Sequence, residues 1–294
     1  MCFIVTGCKY VAQMYPKQFA LVVHPCAVGL ILAGTVFFTS VEMFYVVPLI
    51  VGTEGLLYKI AWLVTIFIVF NLLGNMLACY RTDSSVENLP IDRQVPTPEE
   101  EHLWHHCDYC QVLRPPRSWH CKLCKSCILR RDHHCIFTAT CIGHNNYRYF
   151  FWFLVYMMIG TFLSLATHLI LFIINEDMRK NYFLFYLVRL DFTYLQKIYE
   201  FGFQFNCINL ILVLNVYSFI FPLIMLGYQI RTIYLNTTFY TATSDLKYNQ
   251  GPRKNFKTLM GKRGLWTFFS PVIRSPLLHD GTQWETKYLD INNC

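Results

Sequence analysis

Four long apolar stretches limit what this chain of 294 residues can fold into. They lie at about 19–41, 57–79, 149–174 and 205–230. Each is long enough to cross a bilayer, which takes roughly 20 mainly apolar residues in an α-helix. The second, LYKIAWLVTIFIVFNLLGNMLAC, holds one charge near its start, and the third, YFFWFLVYMMIGTFLSLATHLILFII, holds none. A buried soluble helix of that length carries a polar stripe, and these do not. The expected fold class is therefore an all-α polytopic membrane protein with four transmembrane helices. The opening MCFIVTGCKY has neither a basic n-region nor a small-residue cleavage site, so the first stretch is expected to stay as an anchor.

Four spans put both termini on one side, and Lys and Arg decide which. Segment 80–148 holds nine Lys/Arg and the tail after 230 another nine, whereas the loop between the first two spans offers two glutamates and only Lys59. Both basic segments, and the N-terminus with Lys9 and Lys17, are expected to face the cytosol. The loop at 175–204, with four basic and four acidic residues, votes weakly the other way. Because the basic residues flank spans, the net charge of +7 reads as attraction to anionic lipid of the bilayer. Nucleic acid is excluded as a partner, since the nine basic residues of 80–148 are balanced by eight acids.

The expected organisation is 1–80 for the N-terminal segment and helices 1 and 2, 81–148 for a cytosolic linker and cysteine-rich module, 149–230 for helices 3 and 4, and 231–294 for a cytosolic tail. Residues 82–106 are polar with three prolines and read as a connector. In the tail, TSDLKYNQGPRKN reads as irregular and LWTFFSPVI as an aromatic belt at the membrane surface. No internal repeat is expected.

Seven of the thirteen cysteines fall between 107 and 141, in a segment expected to face a reducing compartment, which favours metal or catalysis over disulfides. Structural zinc takes four Cys or His ligands in a closed tetrahedron. Cys107, Cys110, Cys121, Cys124, Cys127 and Cys141 with His120 and His134 make eight ligands, enough for two sites. Cys135 and His133 are then left over. A thiol beside a base and near Arg130 and Arg131 is a candidate nucleophile, with His133 to take its proton and Asp132 to hold the imidazole. Adjacent residues converging this way are expected to need a turn. Two alternatives stay open on spacing alone: a single zinc site with spare cysteines, and Cys135 as a ninth ligand.

The runs RPPRSWHC, CKLCKSCILRRDHHC and CIGHNNYRYFF, set between the second and third of four spans, resemble the DHHC family of protein S-acyltransferases, the palmitoyltransferases. The resemblance covers Cys107 to about Phe151. It implies two structural Zn2+ ions, one held by Cys107, Cys110, His120 and Cys127, the other by Cys121, Cys124, His134 and Cys141. It also implies that Cys135 is acylated by a long-chain acyl-CoA such as palmitoyl-CoA, with His133 and Asp132 as base and orienter. A cysteine of a membrane-proximal protein substrate then takes the acyl group, and endoplasmic reticulum or Golgi is the implied address. Burying the donor's fatty chain is worth about 0.8 kcal/mol per methylene. The chain departs from the family pattern at Ile136-Phe137 (Pro-Trp), Thr140 (Asn), Asp83-Ser84-Ser85 (Asp-Pro-Gly) and Tyr240 (Glu after Thr237-Thr238). Asn255 matches an Asn of the family's C-terminal motif. Tyr240 is expected to weaken packing of the tail on the module. The competing reading is a catalytically silent, membrane-anchored zinc-binding adaptor.

Smaller signals stay structural. Asn71, Asn75, Asn209, Asn215 and His168 lie inside spans, where interhelical hydrogen bonds account for them. Cys2, Cys8, Cys79 and Cys294 read as ordinary cysteines. Asn236-Thr237-Thr238 is a glycosylation sequon that the expected topology leaves bare.

Overall fold

The computed structural model describes residues 14–175, 203–241 and 245–286. Lys9, Cys2, Cys8, Cys294, the loop from 176 to 202 and the side chain of Asn209 lie outside what is described. Among the described residues four helices are long and apolar enough to cross a membrane: Pro16–Val51, Leu56–Arg81, Tyr147–Ile174 and Leu210–Leu235. The fourth is part of a longer helix, Phe203–Leu235.

The first helix outruns its sequence boundary. It continues from Val41 through a π-helical turn, Glu42–Val46, to Val51, where Gly52 at φ +73 ends it. Glu42 is therefore inside the helix and not in the loop that its charge suggested.

The chain divides into two compact units. One gathers the described parts of 34–70 and 154–226. Here Glu42 explains its own position: its carboxylate accepts from the hydroxyls of Ser164 and Thr167 (2.7 Å for the latter) and lies 3.0 Å from Nδ1 of His168. Asn215 closes the group, 2.8 Å from the Ser164 hydroxyl and 3.2 Å from His168 Nδ1. Polar groups in a span persist where they satisfy one another, and this cluster joins three helices.

The other unit gathers the described parts of 1–33, 71–153 and 227–294. At its centre are three two-stranded antiparallel hairpins: β1 His105–Cys107 with β2 Val112–Arg114, β3 Trp119–Cys121 with β4 Ser126–Ile128, and β5 His133–Cys135 with β6 Thr140–Ile142. Their registers are equivalent, with Cys107 opposite Val112, Cys121 opposite Ser126 and Cys135 opposite Thr140. Each turn ends on a residue in the left-handed region, Gln111 at φ 56, Lys125 at φ 57 and Ala139 at φ 52. This corrects the expectation of no internal repeat: Cys107, Cys121 and Cys135 recur at an interval of 14 residues.

The hairpins are fastened to helix ends and to the tail. Asp83-Ser84-Ser85 forms an Asx turn, with Ser85 N donating to Asp83 Oδ1 (2.8 Å), and Ser84 O receives Leu129 N (2.8 Å). Asn146 donates to Cys79 O (3.2 Å) and Cys141 O (2.9 Å). The tail is more ordered than its composition suggested. PRKN opens a helix, Pro252–Met260, with Pro at its start. On that helix the buried Asn255 donates to Tyr234 O (2.8 Å). Gly281 (φ +92) faces the His144 ring, where a Cβ would come within 2.8 Å, so the tail strap needs glycine there.

Candidate active site and metal centres

The hairpin repeat distributes the ligands. In each Cys-x2-Cys turn both sulfurs point to one point, and Cys124 N lies 3.5 Å from Cys121 Sγ. The remaining two ligands come from the next hairpin, at positions directly opposite each other: His120 faces Cys127, and His134 faces Cys141. The first turn (Cys107, Cys110) thus meets the pair His120 and Cys127, and the second (Cys121, Cys124) meets His134 and Cys141. Within each set the donor atoms lie within 4.8 Å of one another.

These sets fit zinc. In a tetrahedron with metal–sulfur bonds of about 2.3 Å and metal–nitrogen bonds of about 2.0 Å, neighbouring donors stand about 3.5 Å apart. Cys110 Sγ is 3.2 Å from His120 Nδ1, and Cys121, Cys124 and Cys141 are 3.6, 3.3 and 3.6 Å from His134 Nδ1. The crowded sulfurs compete for one charge: hydrogen bonds from Cys124 and Cys141 favour an ionised Cys121, which opposes ionisation of the other two. Cys121 pushes Cys124 up to about 12 and raises Cys141 well above the ordinary thiol value. A dication resolves that conflict.

The third hairpin has the same turn, but Thr138 stands where the first two have their second cysteine, and among the described residues no fourth hairpin follows. Cys135 belongs to neither ligand set. A strand, not the expected turn, sorts the residues around it. Alternate side chains of β5 point to opposite faces, so His134 reaches the metal site while His133 and Cys135 share the other face. His133 Nδ1 is 2.9 Å from Asp132 Oδ2, which leaves Nε2 for the hydrogen bond to the Cys135 sulfur. The His133 ring is held edge-on to Phe150, at 5.0 Å.

Electrostatics favour an ionised pair. Burial alone pushes the Cys135 thiol up, but the hydrogen bond and charge of His133 and the hydroxyl and amide of Thr138 outweigh it and bring the thiol below its usual value. Burial likewise works against a charged His133, yet its bonds to Asp132 and Cys135 raise it to about 10. Asp132 is fully buried. Burial opposes its ionisation too, but His133, Arg130 and the Phe239 amide at 2.7 Å hold it below the ordinary carboxylate value.

Several contributors are absent from the sequence reading. His24, on the first spanning helix, places Nε2 3.0 Å from Nε2 of His134. Gln229 reaches Asp132 from the fourth. Buried Arg117 donates to Asp245 (3.0 Å) and to both oxygens of Asn236, so the sequon asparagine is itself buried and engaged. Only the Thr138 position had a signal in the sequence, the repeated spacing of Cys107-x2-Cys110, Cys121-x2-Cys124 and Cys135-x2-Thr138. Tyr240 makes contacts the sequence did not suggest: its ring packs on Trp119 at 4.8 Å, with the Arg131 guanidinium 5.3 Å from the ring centre.

Residues 100–245, which contain both ligand sets, the Asp132–Cys135 run and the Thr237-Thr238 turn, match the family model described as DHHC palmitoyltransferase. The resemblance read from the sequence holds over that span. No curated protein matches the chain.

Proposed function

We propose that this chain, which carries a DHHC palmitoyltransferase domain, is an active protein S-acyltransferase that takes a long-chain acyl group from acyl-CoA onto Cys135 and passes it to cysteines of membrane-proximal proteins. One observation carries the reading: Cys135 lies outside both ligand sets, with its sulfur hydrogen-bonded to a histidine that Asp132 orients. A metal-bound thiolate is a poor nucleophile here because its electrons are committed. One paired with an imidazolium is ready to react.

In the first half-reaction the Cys135 thiolate attacks the thioester carbonyl. The acyl carbon–Cys135 sulfur bond forms, the bond to the CoA sulfur breaks, and His133 Nε2 gives its proton to the departing CoA thiolate. In the second, a substrate thiol loses its proton to His133 and attacks the acyl-cysteine, and Cys135 leaves as thiolate. Asp132 holds the imidazole in the tautomer that presents Nε2 to the sulfur throughout. Zinc, when bound, staples the hairpins that aim these residues. The hairpin unit includes the ends of four apolar helices, so a fatty chain lies among apolar side chains while the CoA head stays in water. We place module and tail in the cytosol, where acyl-CoA is available and where the excess of Lys and Arg in 80–148 and after 230 belongs, and the protein in the endoplasmic reticulum or Golgi.

Incubating the purified, zinc-replete protein with labelled palmitoyl-CoA tests this. Hydroxylamine-sensitive label on wild type and none on Cys135→Ser is expected. A folded, zinc-replete wild type that takes no label points to a silent adaptor instead.

A further inference from the structure

Asp132 is saturated with donors from three directions. Oδ1 accepts the Phe239 amide (2.7 Å), and Oδ2 accepts His133 Nδ1 (2.9 Å) and Gln229 Nε2 (3.3 Å). Gln229 lies on the fourth spanning helix and is 2% exposed. Its other amide atom, Oε1, accepts the hydroxyl of Tyr147, the first residue of the third spanning helix, which is completely buried. The Tyr147 ring in turn faces the Arg130 guanidinium at 4.9 Å, and Arg130 donates to Thr237 O (2.8 Å).

The chemistry admits one arrangement of this chain. A glutamine amide can be turned over, but turning Gln229 would aim Oε1 at the Asp132 carboxylate, oxygen against anionic oxygen. With Nε2 on the carboxylate, Oε1 must accept, and the Tyr147 hydroxyl is the donor that meets it. The backbone of Asp132 is fixed separately by its N–H to Ile142 O (2.9 Å). The Phe239 amide anchors Oδ1, and Gln229 fixes the swing of Oδ2, the oxygen that also holds His133.

We propose that Gln229 and Tyr147 are positioning residues for acyl transfer, with the Tyr147 hydroxyl orienting the Gln229 amide and that amide aligning the Asp132 carboxylate with His133. This rests on the acyltransferase reading above. The two residues touch no reacting atom and act through Asp132 alone. Removing either lets the carboxylate turn and the imidazole tilt away from the Cys135 sulfur, while acyl-CoA binding and both metal sites stay as they are. Loss of alignment of this kind costs roughly 10-fold in rate, well below the 100-fold that a full ångström of displacement can cost.

The test is single-turnover loading of full-length protein with palmitoyl-CoA at varied concentration, alongside zinc content. Gln229→Leu should cut the maximal loading rate roughly 10-fold, leave the half-saturating concentration unchanged and retain both zinc ions. Tyr147→Phe, which deletes one oxygen, should cut the rate by a smaller factor. The double variant should match Gln229→Leu alone, because residues in one chain do not add. An unchanged maximal rate in Gln229→Leu, or losses that multiply in the double variant, overturns the inference while leaving the acyltransferase reading intact. Should Gln229→Leu fail to hold zinc, Tyr147→Phe decides alone: an unchanged rate overturns the proposal. A wild type that does not load removes both.

Discussion

His24 and His134 face each other through their outer nitrogens, Nε2 to Nε2 at 3.0 Å, with the rings stacked at 5.0 Å. Nδ1 of His134 points to Cys121, Cys124 and Cys141, so zinc on that nitrogen leaves the ring proton on Nε2, directed at a lone pair of His24. Metal-bound histidines are held by such partners, whose loss costs about 10- to 100-fold in affinity. His24→Ala should therefore speed release of one of the two zinc ions to a chelator by roughly 10-fold and spare the other. His24→Gln, which keeps an acceptor, should recover much of the loss. Equal release of both ions from wild type and His24→Ala contradicts the assignment.

Metal removal and nucleophile removal should separate. Structural zinc binding is folding free energy, and Cys121 is buried among its co-ligands. Cys121→Ala is expected to lose one zinc, unfold at lower temperature and lose acylation. Cys135→Ser should keep both zinc ions and the wild-type melting temperature while losing acylation completely. Zinc content by elemental analysis, read beside thermal unfolding, distinguishes the two. A zinc-replete, stable Cys121→Ala is the contrary result.

The tail strap makes stability depend on pH. His144 Nε2 donates to His279 O (2.9 Å), and the two rings stack at 4.7 Å with Trp284 beside them. Burial and the neighbouring His279 bring His144 down to about 3, and burial brings His279 down to about 4. Both are neutral in the fold and protonate more readily when unfolded, so their contribution is complete above about pH 6.5 and is lost as pH falls below it. For His144 the loss is about 1.4 kcal/mol per pH unit. Asp280, held below the ordinary carboxylate value by Thr282 and Arg93 against its burial, keeps its contribution through this window. Melting temperature in detergent should fall between pH 7 and pH 5, and His144→Gln should flatten that slope. A wild-type profile that is flat over this range speaks against the strap.

Inside the unit of 34–70 and 154–226, Glu42 is the acceptor for three side chains. Glu42→Ala leaves the Ser164 and Thr167 hydroxyls and His168 without it, at about 2 kcal/mol or more. Glu42→Gln, which keeps an acceptor oxygen, should cost less. Denaturant titration of the detergent-solubilised protein measures both, and an Ala variant as stable as wild type removes the cluster's structural role.

Much of this architecture is legible in the residues. Unbroken apolar runs betray spanning helices because a bilayer asks for length and nothing else, and Cys-x2-Cys spacing betrays metal because the turn geometry is local. Helix ends are less visible. Glu42 reads as a loop residue because its compensation, His168 and two hydroxyls, lies more than 120 positions away. Separations of 110 and 97 positions hide His24 and Gln229, ordinary polar residues until the fold sets them against His134 and Asp132. The 14-residue repeat is visible in the sequence, but Thr138 disguises its third copy. That disguise is what leaves Cys135 spare. The second and third hairpins each lend an opposed pair to the turn before, and among the described residues the last turn has no successor. Tyr240 shows a limit of reading departures by residue type: the loss of a carboxylate is visible in the sequence, but the ring's contacts with Trp119 and Arg131 are not.

On the proposed mechanism the Cys135 sulfur takes acyl rather than metal. Native mass spectrometry of the full-length protein after one turnover with palmitoyl-CoA, followed by peptide mapping, tests it most directly. Expected is a species carrying two zinc ions and one acyl group, with that group on Cys135. An acyl group on another cysteine, or acylation that appears only as a zinc ion is lost, contradicts it.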